Sequence, residues 1–290
     1  MQVGIIGAGT VGATIAIRLH QQGYTISRVA SRTISKAQAL AREIEATVCS
    51  PHEVIDLCDL VMLATPDRVI EPLVEQLAGS CHSGQILVHF SGALSSEVMA
   101  RARVAGARLL SMHPLQTFSS IDVALATLPG THFTVEGDEP ELGRRLVQAL
   151  GGIPHIIEAR NKVLYHAAAC FASNYLVVLT SVASELLASC GFAAKEALPA
   201  LLPLLQGTLT NLAKNGLPAA LTGPIARGDS AVVIEHLRQL PDHYRHLYQQ
   251  LGILAVAIAR EKGSIDPKAQ ELLLHILTQQ NEVILKEEDQ

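Results

Sequence analysis

Lys162 and His166 stand four residues apart, about 40° around a helix, with Ser173 on the same face and Asn174 a little further round. An amine buried on an apolar helix carries a lowered pKa, so it can polarise and protonate a carbonyl oxygen, while an imidazole and an amide beside it orient that oxygen. His113, an extended residue ahead of Pro114, is a second imidazole of the kind that holds or protonates a substrate oxygen. Arg227, in the loop from Leu221 to Ser230, offers a planar fork to a carboxylate or pairs at the surface, and both readings stay open. Lys162, His166, Asn174 and His113 are therefore the candidate catalytic set, with Arg227 and Ser91 as candidate substrate contacts.

A partner for that chemistry is written at the start of the chain. Val3 to Ile6 reads as a short buried strand that runs into Gly7-Ala8-Gly9-Thr10-Val11-Gly12 and then a helix, about Ala13 to Gln22. In a strand–turn–helix of this kind the first glycine permits the turn, the second admits a pyrophosphate and the third lets helix and sheet pack closely. The helix start adds N–H groups and a positive dipole end. The following strand, Tyr24 to Ala30, ends in Ser31-Arg32-Thr33, where an acidic residue would select NAD. A guanidinium and two hydroxyls suit a 2′-phosphate, so NADP is the expected cofactor.

The elements that position these groups alternate. After the helix Ser35 to Ile44 come a strand at Ala46 to Val48, a short helix at Pro51 to Leu57, and the apolar strand Asp59 to Thr65. The helix Val69 to Ala78, the strand Gln85 to Phe90, a helix to about Ala105 and the strand Ala107 to Met112 continue the pattern. Thr131 to Val135 and Ile153 to Ile157 flank the helix Glu139 to Leu150. Such alternation implies a doubly wound, mostly parallel α/β sheet with ligands beyond the carboxyl strand ends. Thr65, Pro66, Asp67, Ser91, Gly92 and His113 are thereby placed around the nicotinamide. Pro66-Asp67 is equally a helix start and Ser91-Gly92 equally a turn.

Near Glu158 the pattern changes to helices only, which sets the expected domains at 1–158, dinucleotide-binding, and 159–290, all-helical. One long helix is expected from about Ala159 to Cys190; from Val163 to Ser184 it holds no formal charge, a stretch long enough to cross a bilayer. His166, Ser173, Asn174, Thr180 and Ser181 interrupt it and no second span accompanies it, so burial on all sides, inside the domain and against a second copy, is expected instead. Ala193 to Asn215 and Asp229 to Lys286 read as further amphipathic helices, the latter capped by Asp229 or Ser230.

A net charge of −5 with no basic run and 3% aromatics gives nucleic-acid binding no support. A strand beginning at residue 3 leaves no room for a targeting segment, and an odd count of five cysteines without a CxxC pair suits reduced thiols in a cytoplasm. His243 and His246, with His236 nearby, lack a carboxylate at ligand spacing and read as a solvated helix face, so no metal is expected.

Taken with Ser111-Met112-His113-Pro114-Leu115-Gln116-Thr117-Phe118 and Gly223-Pro224-x-x-Arg227-Gly228-Asp229, these stretches resemble bacterial Rossmann-like proteins whose all-helical C-terminal domain is of unknown function. Their relatives are pyrroline-5-carboxylate reductase, ketopantoate reductase and the 3-hydroxyisobutyrate and phosphogluconate dehydrogenases. The resemblance covers nearly the whole chain. It implies NADP-linked reduction, with ketopantoate the first substrate to test, and a homodimer formed by the helical domains. The wider superfamily places a catalytic Lys with Asn four residues later; Lys162 matches the Lys, but position 166 is His. The expected reaction is hydride transfer to a small 2-keto acid, with a cyclic imine as the alternative substrate and a non-catalytic NADP-binding regulator as the alternative role.

Overall fold

The computed structural model describes residues 1–279. The chain runs β1 (Val3–Ile6), α1 (Thr10–Gln21), β2 (Ile26–Ala30), α2 (Ile34–Glu43), β3 (Thr47–Val48), α3 (Pro51–Leu57), β4 (Leu60–Leu63), α4 (Asp67–Leu77) and β5 (Ile86–His89). A 3-10 segment, Ser96–Ala105, leads to β6 (Arg108–Pro114), α5 (Ile121–Thr127), β7 (His132–Gly137), α6 (Pro140–Ala149) and β8 (Ile153–Ile156). The helices α7 (Lys162–Ala172), α8 (Asn174–Ser189), α9 (Ala194–Asn215), α10 (Pro224–Arg227), α11 (Ser230–Gln239), α12 (Asp242–Lys262) and α13 (Pro267–Thr278) follow. Residues 280–286 of the helical stretch expected to reach Lys286 lie outside the described residues.

All eight strands join one sheet in the order β3-β2-β1-β4-β5-β6-β7-β8. Every pair is parallel except β6 with β7. The strand order reverses between β1 and β4, and in an open α/β sheet that reversal opens a crevice at the carboxyl ends of the two strands. Because side chains alternate along each strand, two apolar clusters form, one per face. Ile5, Met62, Val88, Leu110 and Val135 meet α1, α2 and α6; Ile6, Val61, Leu63, Leu87 and Leu109 meet α3, α4 and the Ser96–Ala105 segment.

The chain divides into two compact units, Met1–Asn174 and the residues from Tyr175 onward. The first unit therefore runs past Glu158, where strands give way to helices, because α7 begins with a side chain embedded in that unit. The second has its own core of Ile225, Val233, Leu237, Val256, Leu273, Ile276 and Leu277 from α10 to α13. The single helix expected from Ala159 to Cys190 is divided by one turn residue, Ser173, whose backbone (φ −119°, ψ −68°) stays on the helical side, into α7 and α8. Among the described residues of one chain it is not enclosed: α7 buries only Lys162, α8 buries no residue, and the apolar stretch Ala159–Ser189 is long and apolar enough to cross a membrane. Asp229 occupies the N-cap of α11 without capping it, since its carboxylate is taken by Arg227.

Candidate active site

The glycine turn closes over the strand-order reversal. Gly7 has φ +116°, and a Cβ there would lie 2.3 Å from Ala64 O; a Cβ on Gly12 would lie 2.0 Å from Gly7 O. Side chains at either place would separate β1, β4 and α1. Gly9 differs, since a Cβ there would meet nothing within 4 Å, so the space above the turn is open. No side chain caps α1, whose N-cap is Gly9. At the end of β4 the Thr65 hydroxyl is buried with no hydrogen-bond partner. A cavity of about 530 Å³ adjoins the turn, lined among others by Ala8, Gly9, Thr10 and Ala13 of the turn and α1 and Lys36 of α2. An open glycine, an uncapped helix start and an orphaned hydroxyl fit a dinucleotide pyrophosphate and its attached ribose. Val11 lies in the first turn of α1, and Ser31 and Arg32 form the turn after β2, with Arg32 exposed.

The ends of β4 and β5 are tied together. Asp67 opens α4, and its carboxylate accepts the Ser91 hydroxyl at 2.7 Å. The same Ser91 oxygen accepts from Ala93 N and Leu94 N, which folds Ser91-Gly92-Ala93 into a rigid turn, with Pro66 exposed beside Asp67. Ser91 N donates to His89 Nδ1 at 3.1 Å, so that nitrogen carries no proton and His89 Nε2–H donates to Ser95 O at 3.1 Å. Burial, with the nearby Lys162 charge, pulls the His89 pKa down to about 4 and keeps the ring neutral.

His89 is one of three buried polar residues side by side across the sheet. In the strand register His89 pairs with Ser111 and Ser111 with Glu136, so all three face the side covered by the Ser96–Ala105 segment. Their exposures are 0%, 0% and 2%. Glu136 accepts from both the backbone and hydroxyl of Ser96, at 2.6 and 2.9 Å. Lys162, also wholly buried, donates to Ser111 Oγ at 2.5 Å. Burial draws its pKa down to about 8, against the attraction of Glu136 and Asp67. Placing polar groups in a sheet core is costly unless each finds a partner, and this row is partnered throughout.

Above the row, two residues on along β6, His113 meets α7. Its Nδ1 lies 2.7 Å from the Tyr165 hydroxyl, and the two rings stand edge to face at 5.5 Å. Burial, then the charge of Lys162 and the proximity of His166 and His89, lowers its pKa to about 4. The His166 ring centre is 6.4 Å from that of His113; its Nε2 approaches Cys170 Sγ at 3.7 Å while Nδ1 is buried without a partner. Both imidazoles close on Gly92, where a Cβ would sit 2.8 Å from His113 Nε2 and 2.8 Å from His166 Nδ1.

The structure thus gathers Lys162, His166, His113, Ser91, Gly92 and Asp67 in one unit. It does not bury Asn174 with them: that residue is exposed at the head of α8, one residue past Ser173. Nor does it set Lys162 where a carbonyl can touch it, since the amine is enclosed and bonded to Ser111. Arg227 is exposed and paired with Asp229 in the second unit. His89, Glu136 and Tyr165 carry no motif in the sequence, and Ser111 enters it only as the first residue of the stretch that ends at Phe118. The available signal is a lone polar residue inside an apolar strand, as in QILVHF, RLLSMH and HFTVE.

Residues 1–114 match the model of a Rossmann-like domain and residues 131–256 that of DUF2520, a domain of unknown function. The structure is similar to protein TM1727 from Thermotoga maritima, with 27% identity, a TM-score of 0.72, and 90% of this chain and 99% of that one covered. It shares its fold with a pyrroline-5-carboxylate reductase from Coxiella burnetii (15% identity, TM-score 0.58, 93% and 97% covered). A glycerol-3-phosphate dehydrogenase of Chlorobium limicola, acting with NAD(P)+, is 27% identical over 135 residues, 38% of this chain; the match spans 40% of that relative. The chain joins a Rossmann-like domain to the domain of unknown function DUF2520, in the fold shared by NAD(P)-linked oxidoreductases that include pyrroline-5-carboxylate reductase.

Proposed function

We propose that this protein is an NADP-dependent reductase of a small carbonyl compound, a 2-keto acid of the ketopantoate kind being the first substrate reading. One observation carries it: a single sheet presents, at its carboxyl end, both the open glycine turn and a buried amine backed by Ser111 and Glu136. Gly7 to Gly12 and Thr65 would hold the dinucleotide, and Ser31 and Arg32 its 2′-phosphate. Bound there, the reduced nicotinamide supplies a hydride. Lys162, protonated below about pH 8, sets positive charge beneath the strand ends, where charge on a reduced oxygen is stabilised. Ser91, held by Asp67, fixes the turn in which the bare Gly92 lets His113 and His166 close the site from one side.

A cyclic imine is the second substrate reading, favoured by the fold shared along nearly all of the chain with pyrroline-5-carboxylate reductase. A C=N carbon accepts hydride at the geometry a C=O carbon does. NADPH oxidation followed with ketopantoate, other 2-keto acids and cyclic imines tests the proposal. Turnover of one class that falls in Lys162→Ala supports it, and NADPH binding without turnover of either class contradicts it in favour of a regulatory NADP-binding protein.

The apolar residues that α8 and α9 leave exposed, Val177 and Leu204 among them, are assigned to contact with a second copy in a cytoplasmic homodimer. A monomer in light scattering at micromolar concentration would contradict this assignment.

A further inference from the structure

The proposed reduction needs a proton for the reduced oxygen or nitrogen, and the buried amine is badly placed to give it. Lys162 has no exposed surface, and its Nζ is held at 2.5 Å by Ser111. One turn further on, α7 regains exposed surface. Tyr165 follows Lys162 by three residues, about 60° around the helix, and stands half-buried at the rim with its hydroxyl 2.7 Å from His113 Nδ1.

We propose that Tyr165 is the catalytic acid of this site, its oxygen held by His113 Nδ1–H, an inference that rests on the reductase reading. A single proton lies between the Tyr165 oxygen and His113 Nδ1, and its owner decides the chemistry. If the phenol donates to the ring, its one proton is engaged and Tyr165 has nothing to offer. If Nδ1–H donates, the phenol proton turns towards the ligand; burial raises the Tyr165 pKa, and the phenolate left after transfer is stabilised against that by the hydrogen bond from His113 and by the Thr134 hydroxyl. His113 carries a single proton near neutrality, being kept neutral by burial and by Lys162. Among the described residues its one hydrogen bond runs through Nδ1, and its Nε2 faces the bare Cα of Gly92.

The carbonyl carbon forms a C–H bond with a hydride and its electron pair, and the C=O π pair moves to oxygen. That oxygen forms an O–H bond as the Tyr165 O–H bond breaks. The phenolate, on the half-exposed rim, regains a proton from water. For an imine the nitrogen takes the same proton.

Two measurements decide the matter. In ¹⁵N-histidine NMR of wild type without any ligand, His113, identified by the signal missing in His113→Asn, is expected as the Nδ1–H tautomer. The Nε2–H tautomer would overturn the proposal whatever the substrate. In turnover, Tyr165→Phe is expected to lower kcat by roughly 100-fold, the scale of a lost general acid, with the NADPH Kd held to about twofold. Wild-type turnover that survives in Tyr165→Phe overturns the role of Tyr165 and leaves the reductase reading standing. Wild type that turns over neither 2-keto acids nor cyclic imines overturns the reductase reading, and this inference with it.

Discussion

Lys162 Nζ lies 2.5 Å from Ser111 Oγ, so the amine that opens α7 is anchored on β6 between His89 and Glu136 in the sheet register. This bond draws α7 onto the strand ends and carries Tyr165 and His166 to His113. Its amine is also the clearest pH signature of the fold. Folding lowers the Lys162 pKa from 10.5 to about 8, so between those values the unfolded chain binds more protons than the fold and stability rises with pH. Below about pH 8 both states are protonated and the full penalty for burying the charge is present. Urea unfolding at about pH 7 and about pH 10 should show wild type gaining on the order of 2 kcal/mol relative to Lys162→Met. Equal differences at the two pH values would mean that the amine is not buried as charged.

Gly9 separates binding from folding. Its Cβ would meet no protein atom, so Gly9→Ala should leave the melting temperature unchanged, yet it fills the space assigned to the pyrophosphate. NADPH affinity, read by fluorescence titration, should fall by about tenfold or more. Unchanged affinity would move the phosphates elsewhere.

Arg32 tests the choice of dinucleotide. It is exposed on the turn after β2, where it is assigned to a 2′-phosphate. A hydrogen bond between charged groups contributes about 1.5–3 kcal/mol, so Arg32→Ala should weaken NADPH binding by roughly tenfold to a hundredfold and barely change NADH. Equal losses for both would assign Arg32 to something other than the 2′-phosphate.

Gly92 is the floor on which two imidazoles rest. A methyl group there would lie 2.8 Å from each, so Gly92→Ala should displace His113 and His166. Overpacking of this kind destabilises by about 1–3 kcal/mol. The expected result is a lower melting temperature and lower kcat with NADPH affinity retained; normal kcat would show that neither imidazole serves the reaction.

The dinucleotide turn was legible because its signal is local: a strand, three glycines at fixed spacing and a helix within one stretch of chain. The alternation of strands and helices was legible for the same reason, and Lys162 and His166 could be paired because helical spacing relates residues four apart. His89, Ser111 and Glu136 were not, since they become neighbours only through the register of three strands, which no local pattern states. Asn174, expected in the shared cleft, is exposed just past the single turn residue Ser173, within a run whose composition favours helix throughout. Tyr165 was passed over as one aromatic among apolar neighbours. Its meaning depends on His113, fifty-two positions away in sequence and 2.7 Å away in space.

The central claim is that a hydride passes from NADPH to a small C=O or C=N carbon in this protein. Deuterium at the nicotinamide C4 of NADPH, followed by mass spectrometry into the products formed from a panel of 2-keto acids and cyclic imines, tests it most directly. One class of product is expected heavier by a single deuterium, with labelled product lowered roughly 100-fold when Tyr165→Phe replaces the wild type for the same brief reaction time. NADPH that binds tightly while no deuterium reaches any product would contradict it.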